Sequence, residues 1–354
     1  MQNVQQLRYL PVHEKPLIEV QELSKTYFQG MLKKKATKAV DGVSFSIRRG
    51  TSFGLIGESG SGKSTVGRML LRLIKPTSGK IVYDGIDLVG LSGKELTRFR
   101  QKIQIVFQDS ASAFNPRQMI GEQLAIPLWR FKKVTSQQQL NSRIGELLEL
   151  VGLSASYANR FPHELSGGQR QRAGIARALS VEPEFLVLDE PVSALDVSVK
   201  SQIINLLKHL QEQLGLTYLF ITHNLDIVSY LCDDVAVLYQ GRIVEMGDTK
   251  TLFRNPCHPF TRELLGSILT LQGPLADYYG FPKKSDGSDL LESALGWSGA
   301  CPYMAKCPYH TTTCRTGVPE LTMAGDNHYV RCFQMDQIGS EKEEERPLLM
   351  NTNG

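Results

Sequence analysis

Residues 57–64 read Gly57-Glu58-Ser59-Gly60-Ser61-Gly62-Lys63-Ser64. This is G-x-x-x-x-G-K-[ST], and it stands in the context that spacing requires. The apolar run Thr51-Ser52-Phe53-Gly54-Leu55-Ile56 precedes it, and a helix is expected from about Lys63 to Ile74. Small residues let the backbone curl so that successive amides point inward, and the helix N-terminus adds partial positive charge for the same phosphates. Lys63 is expected to reach the β- and γ-phosphates of a nucleotide and Ser64 to ligate Mg²⁺, with Thr65 following in the first helical turn. The expected fold is therefore α/β, of the P-loop nucleoside triphosphatase type, with one phosphate loop and no internal repeat.

Outward from this loop, three short apolar runs have the length and β-branched content of strands buried on both faces. They are Ile103-Gln104-Ile105-Val106-Phe107, Phe185-Leu186-Val187-Leu188 and Tyr218-Leu219-Phe220-Ile221. Each runs into polar residues: Gln108, Asp189, and Thr222 with His223. Ligands of open parallel sheets gather at the carboxyl ends of strands, so these side chains should share one crevice with the loop. Asp189 is expected to hold Mg²⁺ through its water shell and Glu190 to polarise the attacking water. His223 is expected to orient Glu190 and meet the γ-phosphate, and Gln108 to complete the Mg²⁺ or water contacts.

Leu165-Ser166-Gly167-Gly168-Gln169 is a second anion-seeking turn. Ser166 suits the N-cap of the helix that follows. Two free glycine amides, a hydroxyl and a helix dipole make an anion site, each charge-assisted hydrogen bond being worth roughly 1.5–3 kcal/mol. The turn has nothing in its own vicinity to bind, which points to two chains sharing each nucleotide.

The flanking sequence sets the organisation. Ile18 to Gly54 is β-rich, with alternation at Leu17-Ile18-Glu19-Val20 and Val43-Ser44-Phe45-Ser46-Ile47. Ile144 to Val151 has apolar residues at helical spacing, and Val235–Tyr239 with Arg242–Glu245 form a hairpin about Gln240-Gly241. Residues rich in Gly, Ser, Pro and Asp mark a linker, a cysteine-bearing module follows, and Glu341-Lys342-Glu343-Glu344-Glu345 lies in an acidic tail. The expected boundaries are 17–265 for the main domain (helical subdomain about 109–178), 266–300 for the linker, 301–338 for the module and 339–354 for a disordered tail.

A length of 354 residues is enough for about two domains. Hydrophobic residues at 41% and charged ones at 21% describe an ordinary soluble protein. No run approaches the roughly 18 apolar residues of a spanning helix, and Met1 to Pro16 has no signal-peptide core. A cytoplasmic location is expected, where structural disulfides are rare. The net charge of +4 does not indicate nucleic-acid binding, and Lys33-Lys34-Lys35 with Lys38 reads as a solvated loop.

Taken together, the loop at 57–64, Gln108, Leu165–Gln169, Asp189-Glu190, Ser193-Ala194-Leu195-Asp196 and His223 resemble, in type and order, the motif set of ABC-transporter ATPase subunits. The resemblance spans about Ile18 to Leu265. It implies an ABC ATPase fold: an N-terminal antiparallel β region, a helical subdomain and, here, a small C-terminal cysteine-rich module. It further implies that two subunits meet head to tail, each ATP lying between the Walker A loop of one and the LSGGQ signature of the other. Tyr27 is then the aromatic that stacks on adenine, Asp196 lies at the dimer interface, and Phe114-Asn115-Pro116-Arg117 resembles the surface receiving a membrane partner's coupling helix. Arg254-Asn255-Pro256-Cys257-His258-Pro259-Phe260-Thr261-Arg262 is similar to the Asn-Pro-x-His-Pro-Tyr-Thr segment of oligopeptide/dipeptide importer ATPases, with Phe for Tyr; Gly121–Pro127 and Gly215–Tyr218 look like that group too. Those bacterial and archaeal importers pair two related ATPases, peripheral on the cytoplasmic face of the membrane, with two permeases and an extracytoplasmic peptide-binding protein.

Cys301, Cys307, Cys314 and Cys332 are spaced x5, x6 and x17. Four thiols in a small module with little core of its own suggest a metal centre. Zinc sites usually include a C-x₂₋₄-C knuckle, absent here, whereas iron–sulfur clusters accept more varied spacing. Cluster, zinc and unligated thiols all remain open on spacing; the importer resemblance implies a [4Fe–4S] cluster. Cys232 and Cys257 fall outside the pattern and read as small buried residues. The expected activity is ATP hydrolysis energising peptide import, with nickel chelates or glutathione as alternative cargo. A soluble ABC protein acting on ribosomes or DNA is the rival from another class; such proteins usually carry two cassettes or long coiled-coil insertions, and this chain has neither. A P-loop small-molecule kinase would leave the signature turn unexplained.

Overall fold

A computed structural model describes residues 15–29, 35–108, 113–267, 269–270, 273–274 and 299–339. The strands are β1 (Ile18–Gln29), β2 (Lys35–Ile47), β3 (Ser52–Ile56), β4 (Ser78–Tyr83), β5 (Ile86–Asp87), β6 (Ile103–Val106), β7 (Phe185–Asp189), β8 (Thr217–Ile221), β9 (Asp234–Tyr239), β10 (Arg242–Asp248), β11 (Leu269–Thr270), β12 (Gly273–Pro274), β13 (Thr322–Gly325) and β14 (His328–Val330). The helices used below are α1 (Lys63–Leu70), α2 (Gly93–Lys102), α3 (Ile120–Arg130), α4 (Gln137–Leu150), α5 (Gly167–Leu179), α6 (Val197–Leu214), α7 (Leu225–Leu231), α8 (Thr249–Arg254) and α9 (Pro259–Gly266).

The apolar runs become the buried centre of a sheet ordered β13-β14-β10-β9-β3-β8-β7-β6. Pairings β9–β3, β3–β8, β8–β7 and β7–β6 are parallel. Every residue of β3, β7 and β8 is buried, the reason these strands read as continuous apolar runs instead of alternating. Successive side chains still point to opposite faces. Leu186, Leu188, Tyr218, Phe220, Val235 and Val237 join one core with Leu124, Ala173, Ile203 and Leu207 from helices α3, α5 and α6. Phe185, Val187, Leu219, Ile221, Ala236 and Leu238 join the other, with Val66, Met69 and Leu70 of α1. That second core is closed by Val20, Phe45 and Ile81 of the antiparallel sheet β2-β1-β4-β5. Each buried Val, Leu or Ile contributes about 1.5–3 kcal/mol.

Two expectations shift locally. Helix α1 stops at Leu70, short of Ile74, because Arg72 turns to φ 52 and its guanidinium donates to the carbonyls of Leu88 (2.8 Å) and Val89 (2.9 Å). The strand before Gln108 ends at Val106, leaving Phe107 half-exposed. At the far end of the chain, β14 pairs antiparallel with β10, so the described part of 301–338 adds its hairpin to the edge of the central sheet. Most of the expected linker, the acidic tail beyond Gly339, and Lys33 and Lys34 of the basic cluster lie outside the described residues. No described helix is long and apolar enough to cross a membrane.

Candidate nucleotide site

The loop after β3 can be built only from glycine at its two ends. Gly57 and Gly62 have φ 147 and 107, and a Cβ on them would collide with the carbonyl oxygens of Leu238 and Ala39 respectively. Between them the loop runs through Glu58, Ser59, Gly60 and Ser61 into α1, which opens with Lys63, Ser64 and Thr65. The Lys63 ammonium is buried inside this curl and donates to the carbonyls of Gly57 and Glu58, both at 2.7 Å. Burial pulls its pKa below the ordinary lysine value, and the carboxylates of Glu190, Asp189 and Glu58 oppose that.

The strand-end side chains converge as expected. The Ser64 hydroxyl donates to Asp189 Oδ1 at 2.9 Å, joining α1 to the end of β7. Desolvation raises the Asp189 carboxyl above its usual range, and the Ser64 hydrogen bond works against that rise. Glu190 follows at φ 47, a left-handed conformation that costs on the order of 1 kcal/mol for a non-glycine residue. Its N–H donates to Ile221 O of β8 at 2.8 Å, which holds the turn. This aims the carboxylate away from the strand, where Oε2 accepts from Gln108 Nε2 and Oε1 meets His223 Nδ1, each at 3.0 Å. Gln108 thus meets Glu190 in this structure, beside the Ser64–Asp189 pair. Tyr27 sits near the end of β1, 37% exposed, with the Lys25 ammonium 5.2 Å from its ring centroid.

The second turn has more local explanation than its sequence indicated. Ser166 Oγ accepts from Gln169 N at 3.3 Å and Gln169 Oε1 accepts from Ser166 N at 2.9 Å, a closed capping box at the start of α5. Gln169 Nε2 also donates to Tyr157 Oη at 3.0 Å. A Cβ on Gly168 would stand 2.5 Å from Val199 of α6, so that glycine is a packing requirement. Leu165 is buried; Ser166 is exposed, Gly167 half-buried, and no described hydrogen bond or ion pair links the turn to residues 57–65 of the same chain. Asp196, at the N-cap of α6, is exposed and makes no capping bond.

A family model for "ABC transporter" matches residues 40–193, and one for "Oligopeptide/dipeptide transporter, C-terminal region" matches 244–314. A putative oligopeptide transport ATP-binding protein of Bacillus subtilis, YkfD, is 43% identical over 323 residues, covering 90% of this chain and 95% of that protein. The chain belongs to the oligopeptide/dipeptide ABC-transporter ATP-binding family. It is an ABC-type ATPase. AppF of B. subtilis, an oligopeptide transport ATP-binding protein, is 41% identical over 328 residues, 90% of this chain and 98% of its own. Among solved structures, the ATP-binding cassette MJ0796, as a dimer in a post-hydrolysis state bound to ADP and Pi, superposes with TM-score 0.60 and 31% identity. That match covers 66% of this chain and 98% of the other.

In this ABC ATPase the C-terminal family region is organised by a residue the sequence did not single out. Glu245 of β10 is fully buried, and its carboxylate accepts from the N–H of Cys257 (2.7 Å) and of His258 (3.0 Å) and meets His328 Nε2 at 2.8 Å. His258 caps α9, its Nδ1 accepting from Phe260 N at 3.1 Å, and burial pushes its pKa down to about 4, so the ring is neutral as that bond requires. Only the His-Pro signal in 254–262 pointed here; the partners are 13 and 83 residues apart in the chain. Phe114, expected on a receiving surface, is 3% exposed and packs under the Arg177 guanidinium at 4.5 Å, leaving Asn115, Pro116 and Arg117 as the exposed part.

Cys301, Cys307, Cys314 and Cys332 are free thiols. Cys301 N donates to Cys314 O at 2.9 Å, and burial first, then neighbouring thiols of the four, push the Cys301, Cys307 and Cys332 thiols up. Among the described residues the trio of His, Cys or acidic ligand atoms within 4.8 Å of one another is Glu245, Cys257 and His328, not a set of these four thiols.

Proposed function

We propose that this ATPase energises peptide import, working as the peripheral ATP-binding subunit on the cytoplasmic face of a bacterial or archaeal membrane transporter. The observation that carries the catalytic reading is the convergence of three strand ends on one carboxylate: Gln108 and His223 flank Glu190 while Ser64 and Asp189 pair beside Lys63. Lys63 exchanges loop carbonyls for β- and γ-phosphate oxygens, with the amides of Gly60 to Ser64 and Thr65 around them. Ser64 and Asp189, with Gln108 completing the metal or water contacts, would hold Mg²⁺, which supplies charge neutralisation on the phosphates. Glu190 takes the proton of the attacking water, and His223 and Gln108 keep its two oxygens oriented. Tyr27 stacks on adenine, a contact worth on the order of 1 kcal/mol.

The signature turn serves the nucleotide of a second ATPase subunit, with Asp196 at the interface. The dimeric MJ0796 structure supports this, as do the exposure of Ser166 and the absence of described polar contacts to its own phosphate loop. Two permeases and, through them, an extracytoplasmic peptide-binding protein complete the assembly. The names of the relatives support peptides as cargo. The test is uptake of labelled peptide by cells carrying Lys63→Ala in this chain: loss is expected, and uptake unchanged from wild type overturns the reading.

The four cysteines fit a [4Fe–4S] cluster better than one zinc ion. Their spacing lacks the C-x₂₋₄-C knuckle usual in zinc sites, whereas iron–sulfur clusters accept more varied spacing. Burial raises Cys307 and Cys332 to about 12, so a strong local positive charge is what would ionise them. Anaerobically purified protein should be brown, absorb near ~400 nm and hold about four iron atoms. Colourless, zinc-loaded protein refutes the cluster.

A further inference from the structure

The turn between β9 and β10 touches the phosphate loop on one side and the C-terminal segment on the other. Gly241 N donates to Ser61 O at 2.8 Å, and Gly241 O accepts from Asp41 N at 2.9 Å. Arg242 Nε donates to Asp41 Oδ2 at 2.6 Å, which fixes the turn against β2. The Leu238 carbonyl lies so close to Gly57 that no side chain fits there. The end of β9 and its turn therefore back the loop at its first glycine and at its middle.

Tyr239, between those two supports, faces the other way. Its ring lies 4.5 Å from the Phe260 centroid and 5.4 Å, edge-on, from that of Tyr303. Tyr303 is 2% exposed and is fixed in its turn: its hydroxyl donates to Glu263 Oε2 at 2.7 Å, and Lys306 N donates to its carbonyl at 3.1 Å. Close-packed rings transmit displacement instead of absorbing it. A shift at Tyr303 is thus felt at Tyr239, and through the same few backbone atoms at Leu238 and Gly241.

We infer that Tyr303 and Tyr239 are positioning residues for the phosphate loop, so that the C-terminal region of this ATPase sets the ATP affinity of its own chain. The inference goes beyond the assignment of the nucleotide site and does not require the neighbouring thiols to hold a metal. Both aromatics act through the backbone of the β9–β10 turn and neither touches the nucleotide.

The test compares Tyr303→Leu with Tyr303→Phe in the full-length chain, reading equilibrium binding of a fluorescent ATP analogue and amide hydrogen exchange. Tyr303→Leu is expected to weaken binding about fivefold, the net worth of one backbone hydrogen bond. Exchange should speed up at residues 60–62 and 240–241 while β7 and β8 stay protected. Tyr303→Phe keeps the ring and should bind within about twofold of wild type, since only a side-chain bond to Glu263 is lost. Unchanged affinity and exchange in Tyr303→Leu overturns the inference. So does a loss of protection that spreads to β7 and β8, or a Tyr303→Phe variant as weak as Tyr303→Leu.

Discussion

Replacing Glu190 by Gln separates holding the nucleotide from hydrolysing it. The structure allows the exchange almost without rearrangement. Oε2 accepts from Gln108 and can remain an oxygen, while Oε1 faces His223 Nδ1 at 3.0 Å, where an amide can donate to the ring lone pair. Both contacts survive in one imidazole tautomer, so stability should change by under about 1 kcal/mol. The φ of 47 is no worse for Gln than for Glu. Lys63, Ser64 and the loop amides are untouched. Removing a negative charge that acts on both Lys63 and Asp189 also lessens repulsion toward incoming phosphates, so ATP affinity should hold or improve. The base is lost, which corresponds to a rate drop of about 10²–10⁴-fold, or about 3–5 kcal/mol in the barrier. Phosphate release at saturating MgATP, in the assembled transporter, reads the rate; a fluorescent ATP analogue reads binding. Hydrolysis within tenfold of wild type would refute the role given to Glu190. ATP affinity lowered more than tenfold would show that the carboxylate shapes the loop instead.

Ser166→Asp keeps a competent helix cap and puts a negative charge where a neighbour's γ-phosphate is expected. The variant should bind ATP on its own Walker A loop within about twofold of wild type yet fail to pair with a second ATPase subunit, measured by light scattering with ATP and Mg²⁺. Pairing as in wild type would leave the turn with only its capping role. Glu184 gives a pH signature. Partial burial would raise its pKa, but hydrogen bonds from Arg49 (2.7 Å) and Lys102 (2.9 Å) outweigh that and bring it to about 2. A depressed carboxylate stabilises the fold above its unfolded value near ~4.3 and loses that contribution as pH falls through about 2. Glu184→Gln should therefore destabilise by about 1 kcal/mol at neutral pH, after allowing for solvent screening at a carboxylate one-third exposed, with the gap closing as acid is added. Denaturant melts at pH 7 and pH 3 check it; a gap that widens in acid contradicts the sign.

The local chemistry of the site was legible in the sequence because each motif carries its own geometry. A phosphate loop needs glycine where φ is positive and backbone comes close, and Gly57 and Gly62 meet both conditions. The strand ends leading to Asp189 and His223 followed from uniform apolar runs, since a strand buried on both faces is apolar throughout and stops where polar residues begin. Less followed for the signature turn, where Gln169 and Gly168 proved to serve capping and packing in their own chain. Only the three-dimensional arrangement put Gln108 on Glu190, placed His328 and Cys257 on the buried carboxylate of Glu245, added β14 to the edge of the central sheet, and set Tyr303 behind the turn that backs the phosphate loop. Apart from Cys257, twelve positions from Glu245, those contacts join residues many tens of positions apart. Spacing along a chain reports the period and the turn of one element at a time. Which distant elements become neighbours is decided by how the two cores pack against the faces of one sheet.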